Sequence, residues 1–65
     1  MMLQRWTIDT TDDRDGQGNG TYVVDGVAST SENDMAFTLY DVNGHALGSF
    51  PPANIIDKSF EDYDG

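Results

Sequence analysis

The dipeptide Asn43-Gly44 sits in the middle of "MAFTLYDVNGHALGSF", residues 35–50, between two runs in which large and small or apolar and polar residues alternate. Period-2 alternation on both sides of Asn-Gly is the strongest short-range signal of a β-hairpin, because a two-residue type I′ turn needs positive φ at both central positions. The spacing predicts strands over about 35–42 and 45–50. With Asn43-Gly44 as the turn, Val42 pairs with His45, Tyr40 with Leu47 and Phe37 with Phe50. Phe37, Leu39, Ala46, Gly48 and Phe50 then share one face, whose mixture of large and small side chains fits a tight core. Tyr40, Val42, His45 and Leu47 share the other face, which is too apolar for plain solvent exposure.

No apolar pattern at a 3.6- or seven-residue period runs for three turns anywhere in the 65 residues, so the rest of the chain is read as strand and turn as well. "LQRWTIDT", residues 3–10, carries Trp6 and Ile8 on one face, and "GTYVVDGVAST", 20–30, is strand-like with Gly26 as a bulge or bend. "STSEND", 29–34, is a polar turn. "PPAN", 51–54, cannot continue a ladder, since Pro51 and Pro52 lack an N–H, and is assigned a single 3₁₀ turn. "IIDKSF" forms a short last strand, closing a single domain over 1–60, and "EDYDG", 61–65, is expected as a frayed acidic tail.

The expected fold is therefore all-β: a five-stranded antiparallel meander with a 3₁₀ turn before the last strand. "FPPANII", 50–56, resembles the Phe-Pro-x-Asn-Tyr-Val signature near the end of SH3 domains, and the long acidic connection after the first strand is similar to their RT loop. The resemblance implies a small SH3-like barrel. It departs from the family pattern by one extra residue between Pro51 and Asn54 and by Ile55 in place of a groove tyrosine. Proline-rich peptide binding is accordingly not carried over.

Composition limits the function. The chain has no cysteine and one histidine, so disulfides, thiolate sites and a self-sufficient zinc site are excluded. Ser29, Ser31, Ser49 and Ser59 are scattered around that lone histidine with no nucleophile–base constellation, and no enzymatic activity is expected. No apolar run approaches the roughly 18–20 residues of a membrane span, and the N-terminus lacks the pattern of a secretory signal, giving a cytoplasmic, soluble expectation. Twelve acids against Arg5, Arg14 and Lys58 give a net charge of −9, which argues against direct contact with nucleic-acid phosphates.

"TTDDRDGQGNGTY", 10–22, looks at first like a calcium loop. With Gly16 at position 6 of an EF-hand loop, Thr11, Asp13 and Asp15 occupy positions 1, 3 and 5, but Tyr22 stands at 12, where a bidentate acid is required. An irregular site from Asp12, Asp13 and Asp15 stands as a lesser alternative to a solvated connection, and no metal or other cofactor is assigned. The glycines of "GQGNG" do not make a phosphate loop, because no helix follows and the neighbouring aspartates repel an anion.

Placement of charge carries more than spacing. In a simple meander, Asp9, Asp12, Asp13, Asp15, Asp41, Glu61, Asp62 and Asp64 gather at one end as an acidic pole. A domain spanning about 28 Å, from a radius of gyration of roughly 11 Å, compares with duplex DNA carrying about sixteen phosphate charges over that length. A −9 domain would then suit a basic, nucleic-acid-binding site on a partner protein. The functional expectation is a non-enzymatic protein-binding module, of the kind found as a viral or mobile-element accessory or inhibitor protein. Its contacts would be the acidic pole and the apolar hairpin face of Tyr40, Val42 and Leu47. A homo-oligomeric small-barrel structural protein and a calcium-binding β domain are the alternatives. Because so many like charges share a small body, the melting temperature should rise between 10 and about 500 mM NaCl as screening grows; a flat or falling profile would show that the acids are already paired.

Overall fold

The computed structural model describes residues 1–11 and 19–65. Six strands are present: β1 (Met2–Thr11), β2 (Asn19–Val27), β3 (Ser29–Glu32), β4 (Phe37–Tyr40), β5 (Ala46–Phe50) and β6 (Ile55–Asp64), with a 3₁₀ turn at Pro52–Asn54. They form two antiparallel three-stranded sheets, ordered β2-β1-β6 and β3-β4-β5. The all-β expectation holds, together with the 3₁₀ turn before the last strand. The ladders stay in two sheets and do not close into a barrel among the described residues, and the strand count is six where five were expected.

The extra strand arises inside residues 19–32. Opposite Arg5, the β1–β2 register shifts between Gln4–Val27 and Trp6–Val24, and Gly26 takes φ 76°, a conformation that costs glycine nothing and a β-carbon much more. One residue after Val27 the chain changes partner. Ala28 N–H donates to the Tyr40 carbonyl at 2.8 Å, and β3 continues along β4, so one kinked segment serves both sheets.

β1 shows why the first sheet forms. Trp6, Ile8 and Thr10 are buried and alternate with less covered residues, the period of a strand with one face against a core. The core is thin: Trp6, Ile8, Val27, Phe37 and Leu39, with Val24, Phe50 and Ile55 half-buried around them. Ile8, Val27 and Leu39 are completely covered, each contributing about 1.5–3 kcal/mol by removal from water. Of the face expected as core, Phe37 and Leu39 are buried, Gly48 and Phe50 are half-buried, and Ala46 is exposed.

Ala46 falls outside the core because the hairpin differs from the expected one. Only Gly44 has positive φ, at 81°, while Asn43 does not. Asp41 N–H donates to the His45 carbonyl at 2.9 Å and Gly44 N–H to the Asp41 carbonyl at 3.1 Å. This is a three-residue loop, a type I turn closed by a glycine in the left-handed region. Tyr40 therefore pairs with Ala46, and Leu47 is the odd residue of a bulge before Leu39–Gly48 and Phe37–Phe50. The expected Phe37–Phe50 pair is present; Val42–His45 and Tyr40–Leu47 are replaced.

The last strand is longer than expected. Residues 61–64, read from the sequence as a frayed tail, carry β6 on to Asp64, opposite Met2–Arg5. Contacts that anchor this end include Arg5 to Glu61 at 2.9 Å, Gly26 N–H to the Tyr63 hydroxyl at 2.9 Å, and Gly65 N–H to the Met1 carbonyl at 3.0 Å. The Tyr63 hydroxyl thus satisfies an N–H that the bulge takes out of the ladder. Tyr63→Phe should lower stability by about 1 kcal/mol and the melting temperature by roughly 4–8 °C in thermal unfolding; no change would mean that this end of β6 is not tied down.

Candidate functional site

Because β1 alternates, the residues that do not enter the core lie on the outer face of the β2-β1-β6 sheet. Register then sets their neighbours: Asp9 lies opposite Asp57 on β6 and Thr21 on β2, and Arg5 lies opposite Glu61. The outer face consequently carries Asp9, Asp25, Asp57 and Glu61, with Arg5 the single cation on it among the described residues. Its guanidinium pairs with both Asp25 and Glu61 and sits 4.9 Å from the centre of the Tyr63 ring. The bond to Asp25, and secondly that to Glu61, raises the Arg5 pKa above its ordinary value.

Asp9 and Asp57 are a directly opposed like-charge pair, an arrangement that destabilises a sheet unless something offsets it. Each finds a donor of its own: the Thr21 hydroxyl donates to Asp9 at 2.8 Å, and the Lys58 backbone N–H donates to Asp57 at 2.9 Å. Neither has a cationic partner among the described residues. The Lys58 ammonium turns the other way, 3.7 Å from Glu32 and 5.0 Å from the centre of the Phe37 ring.

Of the acids expected at one pole, the four on this sheet, Asp9, Glu61, Asp62 and Asp64, are spread along it. Asp9 is near the Thr11 end of β1, whereas Glu61, Asp62 and Asp64 lie at the Met2 end, with Asp64 opposite Met2. Seven residues of strand separate Asp9 from that end, roughly 23 Å at ~3.3 Å per residue. The counting of strand directions that predicted a pole fails because the kinked β2–β3 segment hands the chain from one sheet to the other, and β6 returns antiparallel to β1. Asp64 meets the N-terminal amine at 3.2 Å. Asp12, Asp13 and Asp15 lie outside the described residues.

Asp41 has a structural task instead. Its carboxylate accepts the N–H groups of Asn43 and His45, both at 2.9 Å, and lies 3.8 Å from the His45 imidazole. The bond from the His45 backbone holds the Asp41 pKa below its ordinary range, against partial desolvation, with the Asn43 bond adding to it. The apolar hairpin face is likewise rearranged. Tyr40 is half-buried on β4, Val42 is 52% exposed within the turn, and Leu47 is 41% exposed as the bulge residue, so the three do not form one ladder row.

One concavity had no counterpart in the sequence reading. Thr10, Tyr22, Phe50, Pro51 and Asn54 line a cleft of about 290 Å³ between the sheets, where the Tyr22 and Phe50 rings meet at 5.4 Å. The Thr11 hydroxyl donates to the Asn54 carbonyl at 3.4 Å, joining two of the residues that line it. Tyr22 and Phe50 are 28 positions apart by number and meet only through the contact of β2 with β5, which no local pattern announces. Among the described residues, no group of three His, Cys, Asp or Glu side chains is placed to hold a metal ion, and no helix is long and apolar enough to cross a membrane. Comparison with protein-family models, with curated proteins and with solved structures returns no match.

Since the folded-state pKa of Asp41 is depressed, its contribution to stability is present in full above the ordinary value of 3.8 and is lost as pH falls through the lower folded-state value. The gap in melting temperature between the wild type and Asp41→Ala should therefore be constant above about pH 5 and shrink below about pH 4. A gap independent of pH would remove the carboxylate from the turn.

Proposed function

We propose that this chain is a non-enzymatic, acidic protein-binding module of SH3-like architecture, which engages a basic surface on a partner protein of the kind that otherwise holds nucleic acid. The strand connectivity supports the architectural part. If the kinked β2–β3 segment is counted as one strand, the order becomes last-first-second-third-fourth with a 3₁₀ turn before the last strand, the arrangement that the Phe-Pro-Pro-Ala-Asn resemblance implies.

The observation that carries the functional part is the disposition of charge. Among the described residues, every cation is already held within the chain: Arg5 by Asp25 and Glu61, Lys58 by Glu32, and the N-terminal amine by Asp64. Asp9, Asp34, Asp57 and Asp62 are left without an opposite charge. Two of them, Asp9 and Asp57, are set side by side on the outer face of the sheet at a cost to stability that a basic partner would reverse. This reading favours a sheet face over a pole as the contact surface, and −9 on a small body would speed encounter with a basic partner at low salt.

Asp57→Lys separates function from folding. It turns the like-charge pair with Asp9 into an attractive one, which should stabilise the fold by roughly 0.2–1 kcal/mol. The same change should weaken, several-fold, displacement of labelled duplex DNA from a Lys/Arg-rich DNA-binding domain, with wild-type displacement itself fading as salt is raised. Undiminished displacement by the more stable variant would defeat the proposal.

A further inference from the structure

We propose that the free edge of β6, from Lys58 to Asp64, is a strand-addition site for an extended basic segment of a partner protein. This rests on the protein-binding reading above and names the mode and chemistry of the partner. Among the described strands, β6 is hydrogen-bonded to β1 alone and forms one edge of its sheet. At ten residues it is a long edge, and long uncovered edges are templates for another strand.

The backbone shows which groups are free. In an antiparallel ladder, alternate residues exchange both bonds with the partner strand or turn both groups away. Gly65 N–H donates to the Met1 carbonyl, so odd-numbered residues at this end face β1. Lys58 N–H is instead taken by the Asp57 carboxylate, so even-numbered residues face outward. Asp57 blunts the edge at Lys58; beyond it, the N–H and C=O groups of Phe60 and Asp62 have no partner among the described residues.

The side chains beside those groups select the occupant. Glu61, Asp62 and Asp64 flank the stretch, and Phe60, half-exposed at 50%, is held in place by stacking on Trp6 at 4.8 Å. A second copy of β6 would set carboxylates against carboxylates, which is destabilising across a ladder. Phe60, Asp62 and Asp64 share one face of β6, so a segment with a basic residue at every second position brings all its charges to that face, where lysine stems and ammonium groups meet both the acids and the exposed ring while the backbone bonds are completed.

The test uses an acetylated Lys-Val-Lys-Val-Lys-Val peptide with the full-length chain. The expected result is binding at low salt with protection of the Phe60 and Asp62 amides from hydrogen exchange. Methylation of alternate backbone nitrogens of the peptide should weaken binding at least tenfold, with the protein itself untouched. Asp62→Pro, which removes an outward N–H together with the carboxylate at an edge position where proline is tolerated, should do the same, while Asp62→Asn, which removes only the charge and keeps the N–H, should weaken binding only several-fold. Binding indifferent to methylation and weakened no more by Asp62→Pro than by Asp62→Asn, without amide protection, would overturn strand addition but leave the charge-driven reading intact. Amide protection that grows with protein concentration and needs no peptide would overturn it in favour of self-pairing. Failure to bind the peptide while DNA is still displaced from the basic domain would also overturn it, and failure of both would remove the underlying reading as well.

Discussion

Trp6 joins the two sheets. Its ring stacks on Phe60 of its own sheet, at 4.8 Å and 27°, and tilts onto Phe37 of the other, at 5.2 Å and 58°, and its indole N–H is satisfied by the Gln4 side chain at 3.0 Å. A chain of this length buries only about 60% of the surface its unfolded form exposes, so a few large rings must do what many aliphatic residues do in a larger domain. Trp6 can reach both neighbours because β1 is the central strand of its sheet. The buried row of Trp6, Ile8 and Thr10 on one face of β1 entails an exposed row on the other, and the charged surface follows from the same alternation that makes the core.

Arg5, the next residue back, holds the outer face as Trp6 holds the inner one. It bridges from β2 to β6 across β1 through Asp25 and Glu61, at the level where Gly26 leaves the ladder and finds the Tyr63 hydroxyl. The bulge, the kink into β3 and the anchoring of β6 therefore occur at one height in the sheet. These side chains are largely exposed, so the ion pairs add little to stability; their effect is to fix which strand lies beside which.

Much of this was legible in the sequence, and the failures share a cause. Alternation located Trp6 and Ile8 in a core row, glycine located the bulge at Gly26, and proline located the 3₁₀ turn, because each is a local property of one or two residues. The hairpin at Asn43-Gly44 was legible as a hairpin but not in its type, since the deciding group is the Asp41 carboxylate, which caps two N–H groups and favours a three-residue loop. That single shift moved Ala46 out of the core and made Leu47 a bulge. Residues 61–64 looked like a tail because nothing in "EDYDG" is apolar enough to demand burial; their partners are at the opposite terminus. The separation of Asp9 from Asp62 and Asp64 was hidden for the same reason, as the direction in which β6 returns along β1 is a tertiary property.

The acids gain a second meaning from the sheet edge. Proteins with a long free edge usually protect it with charge, proline or a bulge, and β6 has its proline before the strand begins and its carboxylate cap only at Lys58. Past that point charge is the protection that remains, and it is of one sign. A one-signed edge refuses copies of itself, and neutral strands gain little from it, yet it admits a strand of opposite charge. Specificity is a difference between affinities, and repulsion of the wrong partner contributes to it as much as attraction of the right one. In the strand-addition proposal, the acidity that disfavours pairing of β6 with a copy of itself is also what defines the chemistry of the strand that could pair with it.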